Sequence, residues 1–192
     1  MRFLIVATLC ASAATASADG LYVTEAFGGT KIGDELGEHT SGGFRLRLGI
    51  GAKVAEHWAV DGWIAGAIPV ELYNAPTLTT YGLDLKYINS LSEHFDLHLR
   101  GTVSRGHLSG ARLDDYSGRG LGAGAGISAK GKVRALGFLF WPLFFTGIGP
   151  KVTAAVFVDS GYEFYRLHRS GNRSIDAQVT NMTLGFAVGS DF

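Results

Sequence analysis

The sequence predicts an all-β chain, an eight-stranded antiparallel up-and-down transmembrane β-barrel. Three observations predict it. Apolar and polar residues alternate with period 2 along eight segments, and such alternation places them on opposite faces of a strand. Gly is abundant at 28 of 192 residues, while Pro numbers only 4. Mean hydropathy is positive at +0.17, yet no run of about 18 apolar residues offers a helical span. Formal net charge is zero, so no broad basic field is present to hold nucleic acid.

The chain divides into a signal peptide over 1–18 and a barrel domain over 19–192. Arg2 supplies a positive start, Phe3 to Leu9 an apolar stretch, and Ala16-Ser17-Ala18 a small-residue cleavage site. Cys10 is the single cysteine. It leaves with the signal, so the exported chain has neither a disulfide nor thiol chemistry.

The strands follow in order. Leu21 to Phe27 is the weakest, its parity ambiguous around Glu25. Phe44 to Ile50 alternates cleanly around Arg45 and Arg47. Trp58, Val60, Ile64 and Ile68 oppose Ala59, Asp61 and Ala65, although Trp63 falls on the second face. Tyr81 to Tyr87 sets Tyr and Leu against Asp84 and Lys86. Phe95 to Ser104 sets Leu97, Leu99 and Val103 against Asp96, His98 and Arg100. Leu121, Ala123, Ala125 and Ile127 oppose a row of glycines. Val156, Val158, Tyr162 and Phe164 oppose Asp159 and Glu163. The last strand sets Met182, Leu184, Phe186, Val188 and Phe192 against Asn181, Thr183 and Gly185. No Pro interrupts these runs, as strands require.

Connections are expected to alternate in length. Ala55-Glu56-His57-Trp58 and Ser92-Glu93-His94-Phe95 are two short, similar turns, each placing Glu-His before an aromatic strand start. Gly28 to Gly43, Pro69 to Leu78, Arg105 to Gly118 and Arg169 to Ala177 are expected as longer polar loops. Short turns on one side and long loops on the other suit a membrane barrel. The apolar 135–145 segment breaks the pattern. It is too short for a helical span, and is expected as an interfacial extension.

In hydrocarbon every backbone polar group must pair internally, so a membrane sheet has to close. The outward faces then carry Leu, Val, Ile, Phe and Tyr. The inward set is Arg45, Arg47, Asp61, Asp84, Lys86, Asp96, His98, Arg100, Asp159 and Glu163. Eight strands leave an interior that side chains fill, and buried charges there must pair. A plugged lumen is expected, with glycines of the sixth strand making room for long Arg side chains. The same glycines leave open a narrow cavity for a ligand.

These features together resemble the small eight-stranded bacterial outer-membrane barrels of the OmpA-transmembrane, OmpX and OmpW type. The resemblance covers nearly all of the exported chain. It implies a bacterial outer-membrane location, with outer-membrane lipid and lipopolysaccharide as surroundings. Phe186, Val188 and the terminal Phe192 resemble the signal read by the barrel-assembly machinery. The resemblance is unspecific for activity.

Candidate chemistry is sparse. Glu163, His168 and Ser170 lie close in sequence, and His168-Arg169-Ser170 resembles part of the His–Ser–acid triad of PagL-type lipid A deacylases. Such a triad needs an imidazole to take the Ser proton and a carboxylate to orient it. Here Gly171 follows the Ser, where that family has Asn. Glu163 precedes the Ser, on the opposite parity from His168, and Asp176 is a possible substitute acid. No metal site is expected, because His94 and His98 stand about 13 Å apart along a strand. The Gly120 to Gly126 run lacks the Lys and helix of a phosphate loop. No cofactor is implied. The expected role is non-enzymatic, structural or surface-interacting. A lipid A deacylase or a narrow channel for small apolar ligands are the alternatives.

Overall fold

The computed structural model describes residues 20–34, 42–69, 77–110, 113–134, 151–169 and 174–190. The segment 1–18 expected as a signal peptide, residues 135–150, Ser170 and Phe192 lie outside them. The strands are β1 (Leu21–Asp34), β2 (Gly43–Ala55), β3 (Trp58–Pro69), β4 (Thr77–Ser90), β5 (Phe95–Gly110), β6 (Leu113–Arg134), β7 (Lys151–His168) and β8 (Ser174–Gly189). They form one closed barrel in sequence order. Each pairs antiparallel with its neighbours, and β8 returns to β1 from Tyr22↔Gly189 to Asp34↔Ala177.

The register is staggered. A row of partners starting at Val23 passes through Ile50, Gly62, Leu83, Val103, Leu121, Phe164 and Gln178, and re-enters β1 at Gly33. Such stagger closes a sheet whose strands tilt by about 40°.

One end of the barrel carries the short turns. β2 and β3 are joined by Glu56 and His57 alone, and β4 and β5 by residues 91–94. The two turns share a backbone role. The His57 carbonyl accepts the Ile88 N–H at 2.7 Å, and the His94 carbonyl accepts the Lys130 N–H at 2.8 Å. Each turn is thereby tied to the strand after its own hairpin, β4 in the first case and β6 in the second. Trp58, the first residue after one turn, packs edge-on to Tyr87 at 5.2 Å. This turn end also holds both described termini, with Gly20 N–H donating to Ser190 O at 3.1 Å.

The opposite, loop end departs from expectation. β1 continues to Asp34, β5 to Gly110, and β6 begins at Leu113. Much of the chain expected as loop from Gly28 to Gly43 and from Arg105 to Gly118 is therefore strand. The β5–β6 connection shrinks to residues 111–112, so connection length does not alternate as expected. Polar outward residues hid these extensions, because alternation continues there with its sense reversed.

Candidate functional site

Sidedness along β5 shows how the wall is built. Phe95, Leu97, Leu99 and Val103 point outwards and are exposed, while Asp96, His98, Arg100, Thr102 and Ser104 point inwards and are buried. At about 3.3 Å per residue and 40° tilt, the rise from Phe95 to Val103 is about 20 Å. Outward Ile50, Val60, Leu85, Ile127, Val158 and Leu184 continue this belt around the ring. Glu25 is an exception: it points outwards, between Leu48 and Phe186. Its parity is thereby settled.

The lumen charges expected from sequence all face inwards, and they form linked clusters. Nearest the turn end, Lys130 Nζ meets Asp96 at 2.8 Å. Asp61 binds Lys86 and accepts the Tyr22 hydroxyl. His98 Nε2 lies 2.8 Å from Asp159. Arg100 clasps the same carboxylate, with Nη2 at 2.7 Å and Nε at 3.1 Å from Oδ1. Asp84 accepts Arg47, the Trp63 indole N–H at 2.8 Å and the Thr102 hydroxyl at 2.8 Å. Arg47 also stacks on the Trp63 ring at 4.4 Å, a cation–π contact that accounts for an aromatic on the polar face. Above them Arg45 meets Glu163 at 2.9 Å. Glu163 also accepts the Tyr165 hydroxyl and, at 3.4 Å, the Asn181 amide.

Glycine sets the space for this network. A Cβ on Gly124 would lie 2.8 Å from the Arg100 guanidinium carbon, and one on Gly161 2.3 Å from Arg100 Nη2. A Cβ on Gly126 would lie 2.5 Å from the His98 ring. The glycine row of β6 is thus the trough in which the long cations of β5 lie. Voids of about 50 and 20 Å³ remain among these side chains. The smaller is lined by Arg47, Asp61, Lys86, Arg100 and Asp159.

Towards the loop end the inward face becomes apolar. Ile32, Leu78, Leu108, Tyr116, Leu167 and Val179 form a buried cluster with Tyr165, Ala67 and Ala177. Leu78 and Leu108 are each 1% exposed. Ile32, Leu108 and Tyr116 fall in stretches whose sequence predicts loops, so the sequence does not reveal this plug. Its available signal was the reversed alternation of β5, where His107 is outward and Leu108 inward. The outward face at this level is polar over β4 to β8, with Thr79, Arg105, His107, Ser117, Arg119 and His168. On the β2–β3 side Phe44 and Ile68 keep it apolar.

Glu163 and His168 are not brought together. Glu163 is buried in the lumen with Arg45, Tyr165 and Asn181, whereas His168 is exposed on the outer face, across the wall. A strand sends residues five apart to opposite sides. Asp176 does share the outer side, but it is bonded to Arg166 at 3.0 Å. Ser170 lies outside the described residues. No group of three metal-ligating side chains occurs among the described residues. Phe186 points outwards, exposed, in the belt, and Val188 lies on the same face.

Neither a protein-family model nor a curated protein sequence matches the chain. Solved structures do. Neisserial surface protein A superposes with a TM-score of 0.62 at 16% identity, covering 88% of this chain and 97% of that one. Ail, the attachment invasion locus protein of Yersinia pestis, gives 0.47 at 12% identity, covering 88% and 98%. The N-terminal barrel domain of Pseudomonas aeruginosa OprF gives 0.47 at 12%, also covering 88% and 98%. By its closed eight-strand ring and its likeness to the neisserial protein, the chain has the fold of the small eight-stranded outer-membrane β-barrels.

Proposed function

We propose that the chain is an integral outer-membrane barrel with its lumen closed, serving a structural or surface-interaction role without catalysis. The observation that carries this is the outward apolar belt around a filled, ion-paired interior. Water would not tolerate so large an exposed apolar surface on a monomer. A membrane barrel typically presents an apolar band about 25 Å tall. In this reading the turn end and both termini face the periplasm, and the loop end faces outwards. Phe186, Val188 and Phe192 then present the C-terminal strand to the assembly machinery.

Fractionation of a Gram-negative host is expected to recover the chain in the outer membrane, heat-modifiable on gels. Recovery in a soluble fraction without detergent overturns the reading. Planar-bilayer recording is expected to show no discrete conductance, and regular channel steps would replace the closed lumen with a channel. Lipid A acylation is expected to be unchanged by expression of the chain. A loss of acyl groups that depends on His168 and Ser170 would restore the hydrolase alternative.

A further inference from the structure

Arg105, Arg119 and Arg166 are consecutive partners in the register of β5, β6 and β7, and Tyr81 of β4 continues the row. All three arginines are on the outward face and exposed. Neighbouring strands are about 4.8 Å apart, and the tilt lifts the row by about 3 Å per strand. The three guanidinium groups therefore stand side by side on the outer wall. Sequence spacing alone conceals this, since the residues are far apart in the chain.

The row sits on a boundary. Directly beneath it lies the outward row of Leu83, Val103, Leu121 and Phe164. An open groove of about 770 Å³ is lined by these four residues and by the three arginines and Tyr81. Directly above, a second depression of about 760 Å³ is lined by His107, Ser117 and His168, with the same arginines and Tyr81. Apolar surface below and cationic, hydrogen-bonding surface above match an amphiphile with an anionic head.

Charge complementarity is unspent. Arg166 is paired with Asp176 at 3.0 Å. Arg105 and Arg119 have no acidic partner among the described residues. Asp115 is also outward on β6, two residues beyond Ser117 towards the loop end. The arginines are planar, multi-donor groups suited to phosphate oxygens.

We infer that the outer wall of β5–β7 binds a phosphate-bearing lipid of the lipid A class. Arg105 and Arg119 hold its phosphate, and the Leu83–Val103–Leu121–Phe164 groove takes an acyl chain. The inference rests on the membrane reading above and names the site at which the barrel meets its leaflet.

The test uses the full exported chain, purified in a neutral detergent, with native mass spectrometry as the readout. The probes are phosphorylated lipid A, dephosphorylated lipid A and inorganic phosphate. The wild type is expected to bind the phosphorylated lipid at least about tenfold more tightly than the dephosphorylated one, as losing a charged hydrogen-bonded contact implies. Arg105→Ala with Arg119→Ala is expected to abolish that preference, and Arg105→Lys with Arg119→Lys to retain most of it. Heat-modifiable migration verifies that each variant is a folded barrel. The inference is overturned if the double alanine variant keeps the preference, if the wild type has none, or if inorganic phosphate binds as tightly as the lipid. A wild-type barrel that stays dispersed without detergent sinks the membrane reading instead, so the two failures are told apart.

Discussion

The two halves of the barrel interior are filled by opposite chemistry. Near the turn end the inward residues are Asp61, Asp84, Lys86, His98, Arg100 and Asp159. Near the loop end they are Ile32, Leu78, Leu108, Leu167 and Val179. The outer wall changes the other way over most of its circumference, from Leu99 and Val103 to Arg105 and His107 on β5. The difference teaches that one strand can serve two solvents. Where hydrocarbon is outside, apolar side chains go out and the polar ones must satisfy each other inside. Where water is outside, the same strand buries its apolar face, as a soluble sheet does.

Breaking one partner in the ionic half is expected to have the largest effect. Asp159→Leu leaves His98 and Arg100 with their shared carboxylate gone, and is expected to cost about 3–5 kcal/mol. Equilibrium urea unfolding in detergent or bilayers reads it. Glu163→Leu is expected to behave alike, and the double change Arg45→Met with Glu163→Leu to recover at least half of the loss. A double variant no better than the single would show that Tyr165 and Asn181, not the ion pair, make the Glu163 position indispensable.

In the apolar half, Leu108→Ala is expected to cost about 3 kcal/mol by leaving a cavity under the plug. An effect under about 1 kcal/mol would mean that the upper interior is collapsible or wet, and would weaken the distinction between the halves.

The outer wall offers a paired test on one strand. Leu99→Arg, in the belt, is expected to cost about 2–3 kcal/mol, while His107→Arg, above it, is expected to be nearly neutral. Both are read by folding into vesicles. Equal costs would erase the reversal of sidedness. Glu25→Leu removes an outward carboxylate from the belt and is expected to stabilise by about 1 kcal/mol.

Much of the barrel was legible before any coordinates. Period-2 alternation puts Asp84 and Lys86 on one face of Tyr81 to Tyr87, and Asp96, His98 and Arg100 on one face of Phe95 to Ser104; these five and the other five expected lumen charges face inwards. Trp63 broke parity for the apolar outside, and its indole N–H to Asp84 with Arg47 against its ring explains why it belongs inside. The upper plug was not legible, since Ile32, Leu108 and Tyr116 sit in stretches whose polar neighbours look like loop. Glu163 and His168 stand on opposite sides of the wall for a reason their parity in the sequence already contains.

Alternation, glycine content and the absence of interrupting prolines were enough to specify a closed membrane-type sheet and the face of each lumen charge, because those depend on a strand's own geometry. Which carboxylate holds which cation, how the β6 glycines cradle Arg100, and the alignment of Arg105, Arg119 and Arg166 were decided by inter-strand register. Register is set by the stagger of all eight strands closing together, and no local stretch of the chain carries that information.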